Sequence, residues 1–147
     1  MELGLCKCKE VKINMEELTH VDKIAVLRIL NDIVNADSIV KDVEVYYMNE
    51  IARSFELAED FMNEVNNLVT LQALAIIRVL PADLKEKIAQ MMGKMIVIDK
   101  DINYNEVKLY NAVCESCNIE RDFNVEDYPG LTFSGPFVNP EDLMNII

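Results

Sequence analysis

The chain has 147 residues, of which 51% are hydrophobic and 27% are charged. That length suits one domain with its own core, and that composition excludes a disordered chain and a membrane-embedded protein. With 14 basic and 26 acidic residues the net charge is −12, which disfavours nucleic acid and favours cations and basic protein surfaces as partners. The first ten residues lack the apolar core of a signal peptide, so we expect a cytoplasmic protein without membrane insertion.

Apolar residues recur at spacings of three and four through most of the chain, which predicts helices. Between residues 21 and 119 the only helix breakers are Pro81 and Gly93. We predict six helices in this stretch, over residues 22–36, 42–54, 58–67, 70–80, 81–99 and 104–118. A short seventh helix is predicted to begin at residues 139–142, where a capping Asn precedes a Pro and two acids. Short connections between the helices favour a compact antiparallel all-α bundle.

The two ends of the chain carry weaker signals. Residues 1–14 and 131–138 contain short strand-like segments, so we expect small strands at the termini that pair as a hairpin. The whole chain is interpreted as a single domain over residues 1–147. Its core covers residues 21–119, and residues 120–147 form a C-terminal extension.

An internal repeat relates residues 33–57 to residues 95–119 at an offset of 62. Five aligned positions are identical, namely Asp37/Asp99, Glu44/Glu106, Val45/Val107, Asn49/Asn111 and Ser54/Ser116. Each copy contains the end of one helix, a corner Asp, six residues and a Glu near the start of the next helix. The sequence therefore predicts two similar acidic corners.

The start of the sixth helix explains part of this pattern locally. Asn103 suits an N-cap and Glu106 lies three residues later, as in a capping box, while Ile102 and Val107 have the spacing of a hydrophobic staple. The first copy keeps the acid and the staple as Glu44, Val40 and Val45. However, Lys41 stands where Asn103 caps the other helix.

With these two Asp-x6-Glu corners, the chain resembles the TerB-like family of all-helical domains, named for tellurite resistance, over residues 21–119. In that family a Gly follows each corner Asp, whereas Ser38 follows Asp37 and Lys100 follows Asp99 here. If the corner requires a positive φ, each of these residues adopts it at a cost of about 1 kcal/mol. The resemblance implies a non-enzymatic module, either cation-responsive or protein-binding, that acts in bacterial stress or tellurite resistance, with other stress-resistance proteins as partners.

The corners also supply oxygen ligands of the kind that Ca²⁺ and Mg²⁺ prefer. The candidate metal-binding residues are Asp37, Glu44, Asp99, Asp101 and Glu106. The alternative is that these acids only end and cap helices, which explains their spacing without a ligand. The rival functional hypotheses are a metal-assisted enzyme and a structural metal-binding protein, using these carboxylates or the cysteine pairs described next.

The cysteines form two close pairs, Cys6 with Cys8 and Cys114 with Cys117. Four thiols match the ligand count of a structural zinc site, and the second pair could also serve thiol chemistry. Cys114 and Cys117 fall on the apolar stripe of the sixth predicted helix, where free Cys behaves as a small hydrophobic residue. We therefore favour core packing for that pair.

Overall fold

The computed structural model describes residues 18–135. Six α-helices occupy most of this range: α1 (His20–Val34), α2 (Asp42–Ser54), α3 (Phe61–Asn67), α4 (Thr70–Arg78), α5 (Ala82–Val97) and α6 (Tyr104–Cys117). The predicted all-α bundle is confirmed, with helix ends within a few residues of the expected positions. The predicted helix after residue 139 lies outside the described residues.

Helix α1 is the centre of the bundle. It packs against each of the other five helices, and eight of its 15 residues are buried. These include the four consecutive residues Ile24 to Leu27, which cover every side of a helix. Thr19 caps α1 in a reciprocal capping box with Asp22, so the helix begins two residues earlier than predicted.

Two short strands, β1 (Asp101–Asn103) and β2 (Thr132–Ser134), form a parallel pair. Asp101 lies opposite Thr132, and the Thr132 N–H donates to the Lys100 carbonyl at 3.3 Å. The expected strand near residue 132 is thus present, but β1 pairs with it, a partner that the sequence did not indicate. The N-terminal half of the predicted hairpin lies outside the described residues.

The chain after α6 packs back onto the bundle through Tyr110 of that helix. The Tyr110 hydroxyl accepts hydrogen bonds from the backbone N–H groups of Asp122 and Phe123, at 3.1 and 3.2 Å. The Phe123 ring lies edge-on to Tyr110 and joins the core with Val125. The described part of the C-terminal extension therefore shares the core of the bundle. Among residues 18–135, no helix has the length and apolar character needed to cross a bilayer.

Candidate functional site

The two acidic corners have the same backbone geometry. At the first corner Asp37 Oδ1 accepts from the Ile39 N–H at 3.0 Å, and at the second Asp99 Oδ1 accepts from the Asp101 N–H at 3.1 Å. The residue after each Asp, Ser38 or Lys100, has φ of 67°. The sequence repeat is therefore a structural repeat, and its corners use the left-handed conformation at residues other than Gly. That conformation costs about 1–2 kcal/mol at each position.

The two glutamates that follow the corners have different partners. Glu44 accepts from the Lys41 backbone N–H at 3.0 Å, which is the acidic half of a capping box. At α6 the Asn103 side chain accepts from the N–H groups of Asn105 and Glu106, as the sequence predicts for an N-cap. The prediction of a complete capping box there is wrong, because neither carboxyl oxygen of Glu106 has a hydrogen-bond partner among residues 18–135. Capping therefore explains Glu44 but leaves Glu106 unexplained.

Lys41 brings the two corners together. Its ammonium lies 2.8 Å from Asp99 Oδ2 and 3.6 Å from Asp37 Oδ2, so one carboxylate from each copy contacts the same cation. The contact with Asp99 raises the pKa of Lys41 above its ordinary value, and the ammonium stays charged at neutral pH. We call Asp37, Glu44, Asp99 and Glu106, with Lys41 between them, the acidic centre.

The carboxyl groups of the acidic centre are almost completely buried. The Asp37 and Asp99 side chains are 6% and 5% exposed, while Glu44 and Glu106 are 0% and 1% exposed. Burial raises the pKa of Glu106 to about 9, and repulsion from Glu44, Asp37 and Asp99 adds to the shift. Burial also raises the pKa of Glu44, which the Lys41 N–H partly opposes. At neutral pH the Glu106 carboxyl therefore holds a proton in the folded protein.

Asp101, the fifth residue of the predicted metal-binding set, has its side-chain partners outside the acidic centre. Its carboxylate accepts a hydrogen bond from the Thr132 hydroxyl at 2.5 Å and a second one from the Ser134 hydroxyl. Asp101 thus fastens β2 to β1. No local sequence pattern indicates this role, since the partners of Asp101 are more than thirty residues away.

The donor set of the acidic centre fits a hard divalent cation, because it consists of carboxyl oxygens of which three are buried and unpartnered. As the side chains stand, residues 18–135 contain no group of three or more His, Cys, Asp or Glu side chains spaced to hold a metal ion. The Lys41 ammonium contacts two of the four carboxyl groups of the acidic centre, those of Asp37 and Asp99. A divalent ion would therefore have to exchange places with it.

The described cysteines are core residues. Cys114 and Cys117 are buried on α6, and the Cys117 thiol donates to the Leu74 carbonyl at 3.5 Å. Burial raises the pKa of Cys114 to about 11, which suppresses the reactive thiolate. The packing interpretation is supported for this pair, whereas Cys6 and Cys8 of the predicted zinc site lie outside the described residues.

A feature that the sequence analysis missed is an apolar surface beside the first corner. It consists of Ile39, Val40, Val43, Val45 and Tyr46, each at least 40% exposed, and we call it the apolar patch. At the second corner the staple residues Ile102 and Val107 are fully buried, whereas their equivalents in the first copy belong to the patch. The two copies therefore differ in what covers them. In the second copy β2 lies against β1, whereas residues 39–41, which match β1 in the first copy, have no paired strand within residues 18–135.

Two surface cavities lie away from the acidic centre. One of about 630 Å³ lies between the start of α5 and residues 118–122, and one of about 350 Å³ lies between the end of α2 and Phe61. Neither is lined by a carboxylate of the acidic centre.

Comparison with known proteins yields a fold relationship. The chain is similar to the crystal structure of a protein of unknown function from Porphyromonas gingivalis W83, with a TM-score of 0.63 and 23% sequence identity. The similarity covers 84% of this chain and 92% of that one. No family model and no curated protein matches the chain. The fold described above is thus shared with a solved structure.

Proposed function

We propose that this protein is a non-enzymatic, TerB-like module that responds to divalent cations, Ca²⁺ or Mg²⁺, at its acidic centre. The observation that carries the proposal is Glu106, whose carboxyl is buried, has neither oxygen bonded within residues 18–135 and lies among three other carboxyl groups. A buried carboxyl without a partner is costly, and a cation in the centre would remove that cost. The resemblance of the two corners extends the proposal to a role in bacterial stress or tellurite resistance in the cytoplasm.

Burial of the acidic centre supports binding over catalysis. Asp37 and Asp99 are only 6% and 5% exposed, which leaves little access for an organic substrate. The rival thiol chemistry is disfavoured because burial raises the pKa of Cys114 to about 11.

Titration of the metal-free protein with Ca²⁺ and with Mg²⁺, followed by calorimetry and by thermal unfolding, tests the proposal. We expect saturable binding with a stabilisation of about 1–3 kcal/mol when the ion is in tens- to hundredfold excess over its Kd. Asp99→Asn and Glu106→Gln should abolish saturable binding. Glu115→Gln, which removes one charge from the exposed face of α6, should leave it unchanged.

Screening of a net charge of −12 is the effect to be separated from binding. A melting temperature that rises without saturation, or that rises equally in Glu106→Gln and in the wild type, would refute the cation site. In that case the corners serve only to shape the helix connections.

The apolar patch favours a second function, the docking of a partner protein. The Ser38 carbonyl accepts no backbone hydrogen bond within residues 18–135, whereas the matching Lys100 carbonyl accepts one from β2. An extended segment could therefore add to residues 39–41 as β2 adds to β1, with apolar side chains over Val43 and Tyr46. The net charge of −12 favours a segment with basic flanks. We propose such a segment of a partner as the occupant.

A synthetic peptide that carries residues 131–135 of this chain between two pairs of lysines is a suitable probe. Saturable shifts in the amide spectrum at residues 40–46, lost in Val43→Asp, would support docking. Shifts confined to β1 would contradict it, because the peptide would then be competing with β2. Concentration-dependent broadening at the patch without peptide would also contradict it and would indicate self-association.

A further inference from the structure

Lys41 occupies the position at which the second copy of the repeat has its N-cap residue. Its equivalent, Asn103, caps α6 by accepting two backbone N–H groups. The Lys41 ammonium can donate hydrogen bonds but cannot accept them, so no side chain at the N-cap position accepts from the first N–H groups of α2. A missing cap costs about 1 kcal/mol, so a lysine here is explained by something other than the helix start.

The ammonium provides that explanation, since it contacts Asp99 at 2.8 Å and Asp37 at 3.6 Å. The ammonium is thus the positive charge between the two corners. Glu44 and Glu106 of the same centre add three buried oxygens without a hydrogen-bond partner. The ion pairs of Arg28 and Arg53 are formed with Asp32 and Glu50, which lie outside the acidic centre.

Lys41 is also the most exposed member of the acidic centre. Its side chain is 36% exposed, against 6% and 5% for the two aspartates that it contacts. The four-carbon stem of lysine is flexible, so the ammonium can leave toward solvent while the corners keep their shape. The aspartates would remain in place because backbone N–H groups hold them within their own corners.

We propose that Lys41 is a tethered, displaceable cation that fills the acidic centre and competes with divalent ions for it. Lys41 would then set the ion concentration to which the protein responds. The inference rests on the proposed cation response and adds the residue that tunes it.

Lys41→Asn is the decisive variant, because it removes the ammonium and gives α2 the same cap that α6 has. We expect it to bind Ca²⁺ or Mg²⁺ about tenfold more tightly than the wild type, or better, in calorimetric titrations. Lys41→Arg, which keeps a cation in place, should show no gain. Lys100→Asn removes one positive charge from the exposed position after Asp99 and should stay within about twofold of the wild type. Circular dichroism of each variant checks that it is folded.

The outcomes separate this inference from the proposed function. Equal, saturable binding by the wild type and Lys41→Asn would overturn the role of Lys41 and leave the cation response standing. Binding by Lys41→Asn alone would support the role of Lys41 and overturn a cation response of the native chain. An equal gain in Lys100→Asn would overturn the inference as a general charge effect, and folded variants without any binding would overturn both proposals.

Discussion

Replacing Glu106 by Gln tests whether the buried Glu106 carboxyl is protonated in the folded protein. Burial and the neighbouring acids raise the pKa of Glu106 from 4.5 to about 9. Between these pH values the folded state binds one proton more than the unfolded state does. The free energy of unfolding of the wild type therefore falls as pH rises, by about 1.4 kcal/mol per pH unit from this group alone. The stabilisation is complete below pH 4.5 and is lost as pH rises toward 9.

Gln keeps the shape of the protonated side chain and does not titrate. Between pH 6 and pH 8, the stability of Glu106→Gln should therefore rise relative to the wild type by about 3 kcal/mol, which is two pH units of the slope for one proton. Urea unfolding at pH 6, 7 and 8, at fixed ionic strength and with a chelator present, measures this difference.

Glu115→Gln is the matched control, since it removes an exposed carboxyl from the same helix. Its stability should follow that of the wild type across the same pH range. If Glu106→Gln also runs parallel to the wild type, Glu106 is ionised in the folded protein and the buried, protonated state inferred here is refuted.

Three further predictions concern the corners and the core. Ser38→Gly and Lys100→Gly should each raise the free energy of unfolding by about 1 kcal/mol in urea titrations, because φ is 67° at both positions. A decrease in either variant would mean that its corner is not strained. Cys114 and Cys117 should be alkylated by iodoacetamide only as fast as the fold opens, as followed by mass spectrometry; rapid labelling of the folded protein would contradict their burial. Tyr110→Phe should lower the free energy of unfolding by about 1–3 kcal/mol, because two backbone N–H groups lose their acceptor. An unchanged unfolding midpoint in urea would show that these two hydrogen bonds contribute nothing to stability.

Much of the fold was predictable because its signals are local. Helix spacing, the breaker Pro81 and the capping Asn103 each act within a few residues, and they placed the six helices. The repeat also predicted two like corners, and the shared φ of 67° after Asp37 and Asp99 confirms them. A pattern that acts between neighbouring residues is complete in the sequence itself.

The tertiary structure decided which of the acidic residues belong together. Lys41 forms an ion pair with Asp99, which lies 58 positions later in the chain. The Asp101 carboxylate instead accepts hydrogen bonds from hydroxyl groups on β2. Glu106 fits a capping box by spacing alone, but its carboxyl is buried among other acids with neither oxygen bonded within residues 18–135. Burial and charge pairing depend on how distant segments pack, so local spacing could identify these acids as candidates but could not assign their partners.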